Sequence, residues 1–297
     1  MKNIISVVVL GAVLMGCQSI EQIPPEPTPG PMVVWCHSGE QHDLDALRTV
    51  LQSPLITHVL INYRHIDDGN WHENEYVKVA IDIVKASNAK LIWGRSLWPW
   101  YAIENSTTED LYDPCYYVKQ IETVRAEAAE IGACMTAMDT EPYANSPIKK
   151  YVKGEDRVYL IPRQLSMIQE AVQKATDKVG KVDIVFPAGS MVTVHIYNAL
   201  SALGNNRVSE HTYYDNSDAI KNIKYPYEMF GVQLSITKEH EGYPSLPFYL
   251  PAEIFERREL WSGTKGLFIY TSNRDSLAVA EALVAYGQGL TRGIGDS

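Results

Sequence analysis

Short, near-continuously apolar runs recur along the chain, each followed by a polar loop and then by apolar residues at three- and four-residue spacings. The runs cover residues 32–36, 58–63, 90–94, 134–139, 182–187, 207–213, 230–236 and 266–270. Runs that stay apolar at every position suit parallel strands covered on both faces. The intervening spacings predict helices over 44–51, 76–86, 116–131, 164–178, 192–203, 252–261 and 276–288, with a weaker one over 217–223. Eight strand–helix alternations within residues 32–297 predict an α/β chain folded as a single (β/α)8 TIM barrel. An open doubly wound sheet is the alternative. Its nucleotide-binding form opens on a glycine-rich first turn, whereas this first turn reads Cys36-His37-Ser38-Gly39-Glu40. The barrel is therefore favoured.

The first thirty residues do not follow that pattern. Lys2 precedes an apolar stretch over residues 4–15, too short to cross a bilayer as a helix but suited to the core of an export signal. The segment Val13-Leu14-Met15-Gly16-Cys17 resembles the lipobox of bacterial lipoproteins. That resemblance implies cleavage after residue 16 and lipidation of Cys17, with Gln18 pointing to the outer membrane of a Gram-negative cell envelope. Residues 17–31 then carry Pro24-Pro25-Glu26-Pro27-Thr28-Pro29-Gly30-Pro31, a stiff extended linker with no core of its own. The expected division is a signal over 1–16, a lipidated linker over 17–31 and the barrel over 32–297.

Composition narrows the function classes. With 26 basic and 36 acidic residues the net charge is −10, and no basic cluster exists to collect phosphates. A nucleic-acid partner is thereby disfavoured. After Cys17, only Cys36, Cys115 and Cys134 remain, an odd number that leaves at least one free thiol and makes no disulfide scaffold. No metal-binding cysteine pair is present, and no cofactor is implied. His37, His42, Asp43 and Asp45 form the one group that could suggest a metal, but acids there suit the start of a helix better. Cys36 and His37 are adjacent on a strand and face opposite sides, which argues against a Cys–His dyad. No G-x-S-x-G supports a serine nucleophile.

In a barrel of this kind, chemistry gathers where strands end. The sharpest signal is on the fourth. Side chains two apart share a face, so Asp139 and Glu141 point the same way as Met135 and Ala137. Two carboxyls that close resist joint ionisation, which keeps one protonated near neutrality. A protonated carboxyl is what a general acid needs in order to protonate a leaving oxygen. Glu239, just past the seventh strand, could serve as a second carboxylate opposite Glu141. Glu210 has the wrong parity if Tyr213 faces inward.

These segments resemble two elements of family 18 glycoside hydrolases. Ala137-Met138-Asp139-Thr140-Glu141 is similar to the tail of their D-x-x-D-x-D-x-E signature, although Ala133 and Thr136 stand where its two earlier acids would be. His211-Thr212-Tyr213-Tyr214-Asp215 is similar to their M-x-Y-D element, with Thr212 in place of Met. Family 25 lysozymes also carry a D-x-E at strand four. The family 18 resemblance implies that Glu141 is the proton donor, that Asp139 is its carboxylate neighbour, and that Tyr214 and Asp215 meet the acetamido group of the substrate.

Aromatic residues near strand ends point the same way, because flat rings stack on sugar faces. The expected catalytic set is Asp139, Glu141 and Tyr214. The expected substrate contacts are Tyr63, Arg95, Trp98, Trp100, Tyr143, Tyr213, Asp215, Gln233 and Glu239. Arg95 is included for an acidic sugar, although an internal ion pair would suit it better. The reading is a lipid-anchored envelope hydrolase of O-glycosidic bonds with a carbohydrate substrate. The alternatives are a catalytically silent glycan-binding lipoprotein on the same barrel and a structural envelope protein.

Overall fold

The computed structural model describes residues 31–38, 43–65, 69–96, 112–140, 157–187, 194–209, 227–237, 248–272 and 274–295. The signal, Cys17 and the proline-rich linker lie outside them. Eight strands form a closed, wholly parallel barrel in the order of the chain. They are β1 (Met32–Ser38), β2 (His58–His65), β3 (Lys90–Ser96), β4 (Met135–Thr140), β5 (Val182–Pro187), β6 (Gly204–Ser209), β7 (Met229–Leu234) and β8 (Gly266–Thr271). The described helices are α1 (Leu44–Val50), α2 (Glu75–Lys85), α3 (Pro114–Ile131), α4 (Arg157–Val179), α5 (Val194–Leu203), α6 (Pro251–Glu256) and α7 (Ser276–Gly295). Closure is made by β1 against β8, with Met32 beside Gly266 and Trp35 beside Ile269. The expected helix over 217–223 falls outside the described residues. None of the described helices is long and apolar enough to cross a membrane.

Helix boundaries follow local capping chemistry. The Asp43 side chain accepts from the Asp45 amide at 2.8 Å and starts α1. This is the capping role expected of that acidic pair. Asn74 caps α2 through the Val77 amide at 3.2 Å. Asp113 caps α3, whose first residue is Pro114, already set at a helical φ. Gly132 ends α3 with φ +74°, a left-handed turn that costs glycine little.

The apolar residues divide between two layers because alternate side chains on a strand face opposite ways. Val34, Cys36, Leu60, Ile92, Ala137, Phe186, Met229 and Phe268 fill the lumen. Trp35, Ile61, Tyr63, Trp93, Met138, Val232 and Ile269 pack outward against the helices. In the lumen, Phe186, Phe268 and Tyr270 gather with ring centroids 5.8–6.4 Å apart. Eight strands leave only enough interior for side chains, so large rings at some positions require small residues at others. Gly94 and Ala137, neighbours in register, are the small ones.

At the amino-terminal end, His58 begins β2 at 8% exposure, with Nδ1 2.8 Å from the Thr57 hydroxyl. Burial lowers its pKa from the ordinary value, and the nearby Lys90 ammonium adds to the effect. A histidine held neutral in the fold contributes its full stability above the unfolded-state value. That stability is lost as pH falls through the lowered folded value. The thermal midpoint is therefore expected to fall between pH 7 and pH 5 more steeply in the parent than in His58→Asn. Parallel curves from calorimetry would remove His58 as the source.

Candidate active site

The carboxyl-terminal end of the lumen is built from residues on successive strands. Ser38 pairs in register with Asn62, Asn62 with Gly94, Gly94 with Ala137, and Asp139 with Phe186. Asp139 shares a face with Ala137 and is half-buried. The Asn62 side-chain amide Nδ2 donates to Asp139 Oδ2 at 3.4 Å. The expectation that Met135, Ala137 and Asp139 share the inner side of β4 is met, since Ala137 lies in the lumen cluster and Met135 packs against it.

Cys36 comes from β1 into the same space. Burial pushes its thiol well above the usual range; a hydrogen bond with Tyr270 pulls it down and the Asp139 carboxylate pushes it further up. A thiol held neutral this way is a weak nucleophile. Its neighbour His37 faces outward, as strand alternation requires. There the His37 ring stacks on Tyr76 at 5.8 Å, and Nε2 lies 3.0 Å from the Tyr76 hydroxyl. Burial and the Asp43 carboxylate raise the pKa of that hydroxyl to about 12, so it stays protonated beside the imidazole. Cys36 and His37 thus occupy different layers, and no dyad forms. Cys36, Cys115 and Cys134 are free thiols, the first buried and the other two exposed. Among the described residues, no three His, Cys, Asp or Glu side chains gather as a metal-holding group.

Two expected substrate contacts lie away from the lumen. Tyr63 and Arg95 both belong to the outer layer. Arg95 is 1% exposed, with its guanidinium 4.8 Å from the centre of the Tyr63 ring. Its Nη2 donates to the Gly69 carbonyl at 3.2 Å, and its Nε lies 3.7 Å from Glu127 Oε2. Trp93 Nε1 donates to the same Glu127 carboxylate at 2.8 Å. The Tyr63 ring lies 6.2 Å from Trp93. This is a buried cation shared among an acid, a carbonyl and an aromatic face, and it fastens β3 to α3. The physical reason is parity: Asn62 and Gly94 face the lumen, so the residues after them cannot.

Gln233 is half-buried on β7 and pairs in register with Tyr270. Glu141, Tyr143, Tyr213, Tyr214, Asp215, Trp98, Trp100 and Glu239 lie outside the described residues. Three residues of the lumen mouth, Asn62, Cys36 and Tyr270, were not among the expected site residues. Each stands at a strand end that the sequence makes visible, and counting parity back from the apolar lumen positions would have selected them.

No family model matches the chain, and no curated protein sequence matches it. Solved structures do resemble it. A chitinase from Bacteroides thetaiotaomicron is similar at 12% identity, over 87% of this chain and 97% of that one, with a TM-score of 0.51. A family 18 chitinase from Flavobacterium johnsoniae reaches 13% identity over 89% and 95% of the two chains, with a TM-score of 0.49. A family 99 endo-alpha-mannosidase from Bacteroides thetaiotaomicron reaches 8% identity over 90% and 99%, with a TM-score of 0.48. At such identities the likeness is one of fold, and the first comparison carries it: the chain is a TIM barrel that resembles the chitinase barrel.

Proposed function

We propose that the chain is a glycoside hydrolase acting on a polysaccharide or glycan at the cell envelope. The observation that carries this reading is the position of Asp139, a carboxylate inside the lumen at the carboxyl-terminal end of β4. The shared fold with a chitinase supports it. Glu141 is the general acid: its proton passes to the glycosidic oxygen as the bond from that oxygen to the anomeric carbon breaks. Positive charge then develops on the sugar ring, and the Asp139 carboxylate stabilises it. Water adds at the anomeric carbon, and the proton that it loses restores the acid.

By their resemblance to the M-x-Y-D element, Tyr214 and Asp215 meet the acetamido group of the reacting sugar. Trp98, Trp100, Tyr143, Tyr213, Gln233 and Glu239 complete the proposed substrate surface. Lipidation of Cys17 anchors the barrel to the outer membrane through the proline-rich linker, and Cys17→Ser is expected to release the protein into the soluble fraction.

The reading is tested by incubating the barrel, residues 32–297, with a panel of envelope and structural polysaccharides and measuring new reducing ends and bound glycan separately. Release of reducing ends is the expected result. Binding without release would instead make the chain a silent glycan-binding lipoprotein. Neither binding nor release across the panel would end the carbohydrate reading.

A further inference from the structure

Asn62 is set by register between Ser38 and Gly94, on the side of β2 that carries Leu60 into the lumen. Its Nδ2 donates to Asp139 Oδ2 at 3.4 Å, a long contact of the kind that tightens in a loaded site. Its Oδ1 is buried and has no hydrogen-bond partner among the described residues. Leaving a buried acceptor unpaired is costly, and such atoms tend to mark working sites. The opposite rotation of the amide would set an oxygen against the carboxylate, which an ionised Asp139 disfavours.

Gly94 provides the space. A Cβ at that position would stand 2.8 Å from Leu60 Cδ1 and 3.0 Å from Asn62 Oδ1. Any other residue at 94 would therefore displace the amide or the leucine beneath it. Cys36 on β1 and Tyr270 on β8 are the titratable groups described in the lumen near Asp139; Gly94, Ala137 and Phe186 on the elements between carry none. His58, the other titratable residue whose side chain is described on the inner side of β2, lies at the opposite end of the strand.

We infer that Asn62 is the positioning residue for Asp139: its amide holds the carboxylate ionised and aimed along the lumen, in the clearance that Gly94 leaves. This rests on the glycosidase reading above, in which Asp139 must stay charged to stabilise a cationic sugar. Asn62 acts through Asp139 and takes no proton itself.

The inference is tested on the protein without substrate, by following the Asp139 side-chain carboxyl carbon in 13C NMR as pH is varied, its signal assigned by its loss in Asp139→Asn. In Asn62→Leu this donor is gone, and the titration midpoint is expected to rise by about one unit, a tenfold change in proton affinity. Asn62→Asp keeps the shape of the amide but adds a like charge, and a larger rise is expected; it also serves where leucine disturbs the fold. The acidic limb of the hydrolysis profile is expected to move with the midpoint. A midpoint unmoved in both variants overturns the inference, as does a moved midpoint with an unmoved acidic limb. A parent inert on every glycan falls on the glycosidase reading instead, and the titration still decides whether Asn62 governs Asp139.

Discussion

Glu141→Gln is expected to lower glycan hydrolysis by about 10²- to 10⁴-fold at neutral pH, with binding of the same glycan retained. Glutamine keeps the size of the side chain and removes the transferable proton. The loss should therefore fall on turnover, because the proton moves only as the glycosidic bond breaks. It should also depend on the leaving group. An aryl glycoside whose phenol leaves as a stable anion needs little protonation, so the variant should keep far more of its activity on that substrate than on a sugar–sugar bond. Equal losses on both substrates would point to a misplaced sugar rather than a missing acid. Hydrolysis at the parental rate on both would remove Glu141 from the mechanism, and Glu239 would become the carboxylate to test next.

Phe268→Ala is expected to cost about 3–5 kcal/mol of stability, read as a lower urea midpoint with an unchanged slope. The ring is fully buried at the centre of the lumen, 5.8 Å from both Phe186 and Tyr270. Its strand neighbours in register are Val34 and Gly231. Truncation removes the ring and leaves a gap that a closed ring of strands cannot readily collapse. A loss below about 1 kcal/mol would mean that the flanking rings close over the gap. A small loss of that kind would contradict the tight central packing described above.

The sequence reading located the barrel because its evidence was periodic. Parallel strands covered on both sides must be apolar throughout, and the loops and amphipathic helices between them keep that signal separated. The failures have local causes. β6 was expected to begin at Arg207 but begins at Gly204, because Gly204-Asn205-Asn206 has the composition of a turn. Pairing with β5, with Val182 beside Gly204 and Ile184 beside Asn206, overrides that weak preference.

The side chains of Tyr63 and Arg95 show what they could do, and only parity tells which way a side chain faces. A Tyr and an Arg at strand ends suit a sugar site, yet the same pair suits a helix interface where the cation lies over the ring. Asn62 gives no chemical signal in the sequence, because a lone asparagine carries no reaction by itself. Its meaning comes from Gly94 and Asp139, which are distant in sequence and meet only when three strands align. Asp139 is legible because it stands two residues from Glu141 at the end of an apolar run, so both share one face.

The seam between β1 and β8 has a consequence for the order of folding. Met32 and Gly266 lie edge to edge there, and a methyl group on Gly266 would come within 2.6 Å of the Met32 carbonyl oxygen. Close by, Ser53 reaches across 230 positions to the Leu283 carbonyl. The opening strand of the barrel has no second neighbour until the eighth has been synthesised. Closure of the ring is thus a long-range event, slow relative to helix formation, and the first strand stays half-partnered until the eighth arrives.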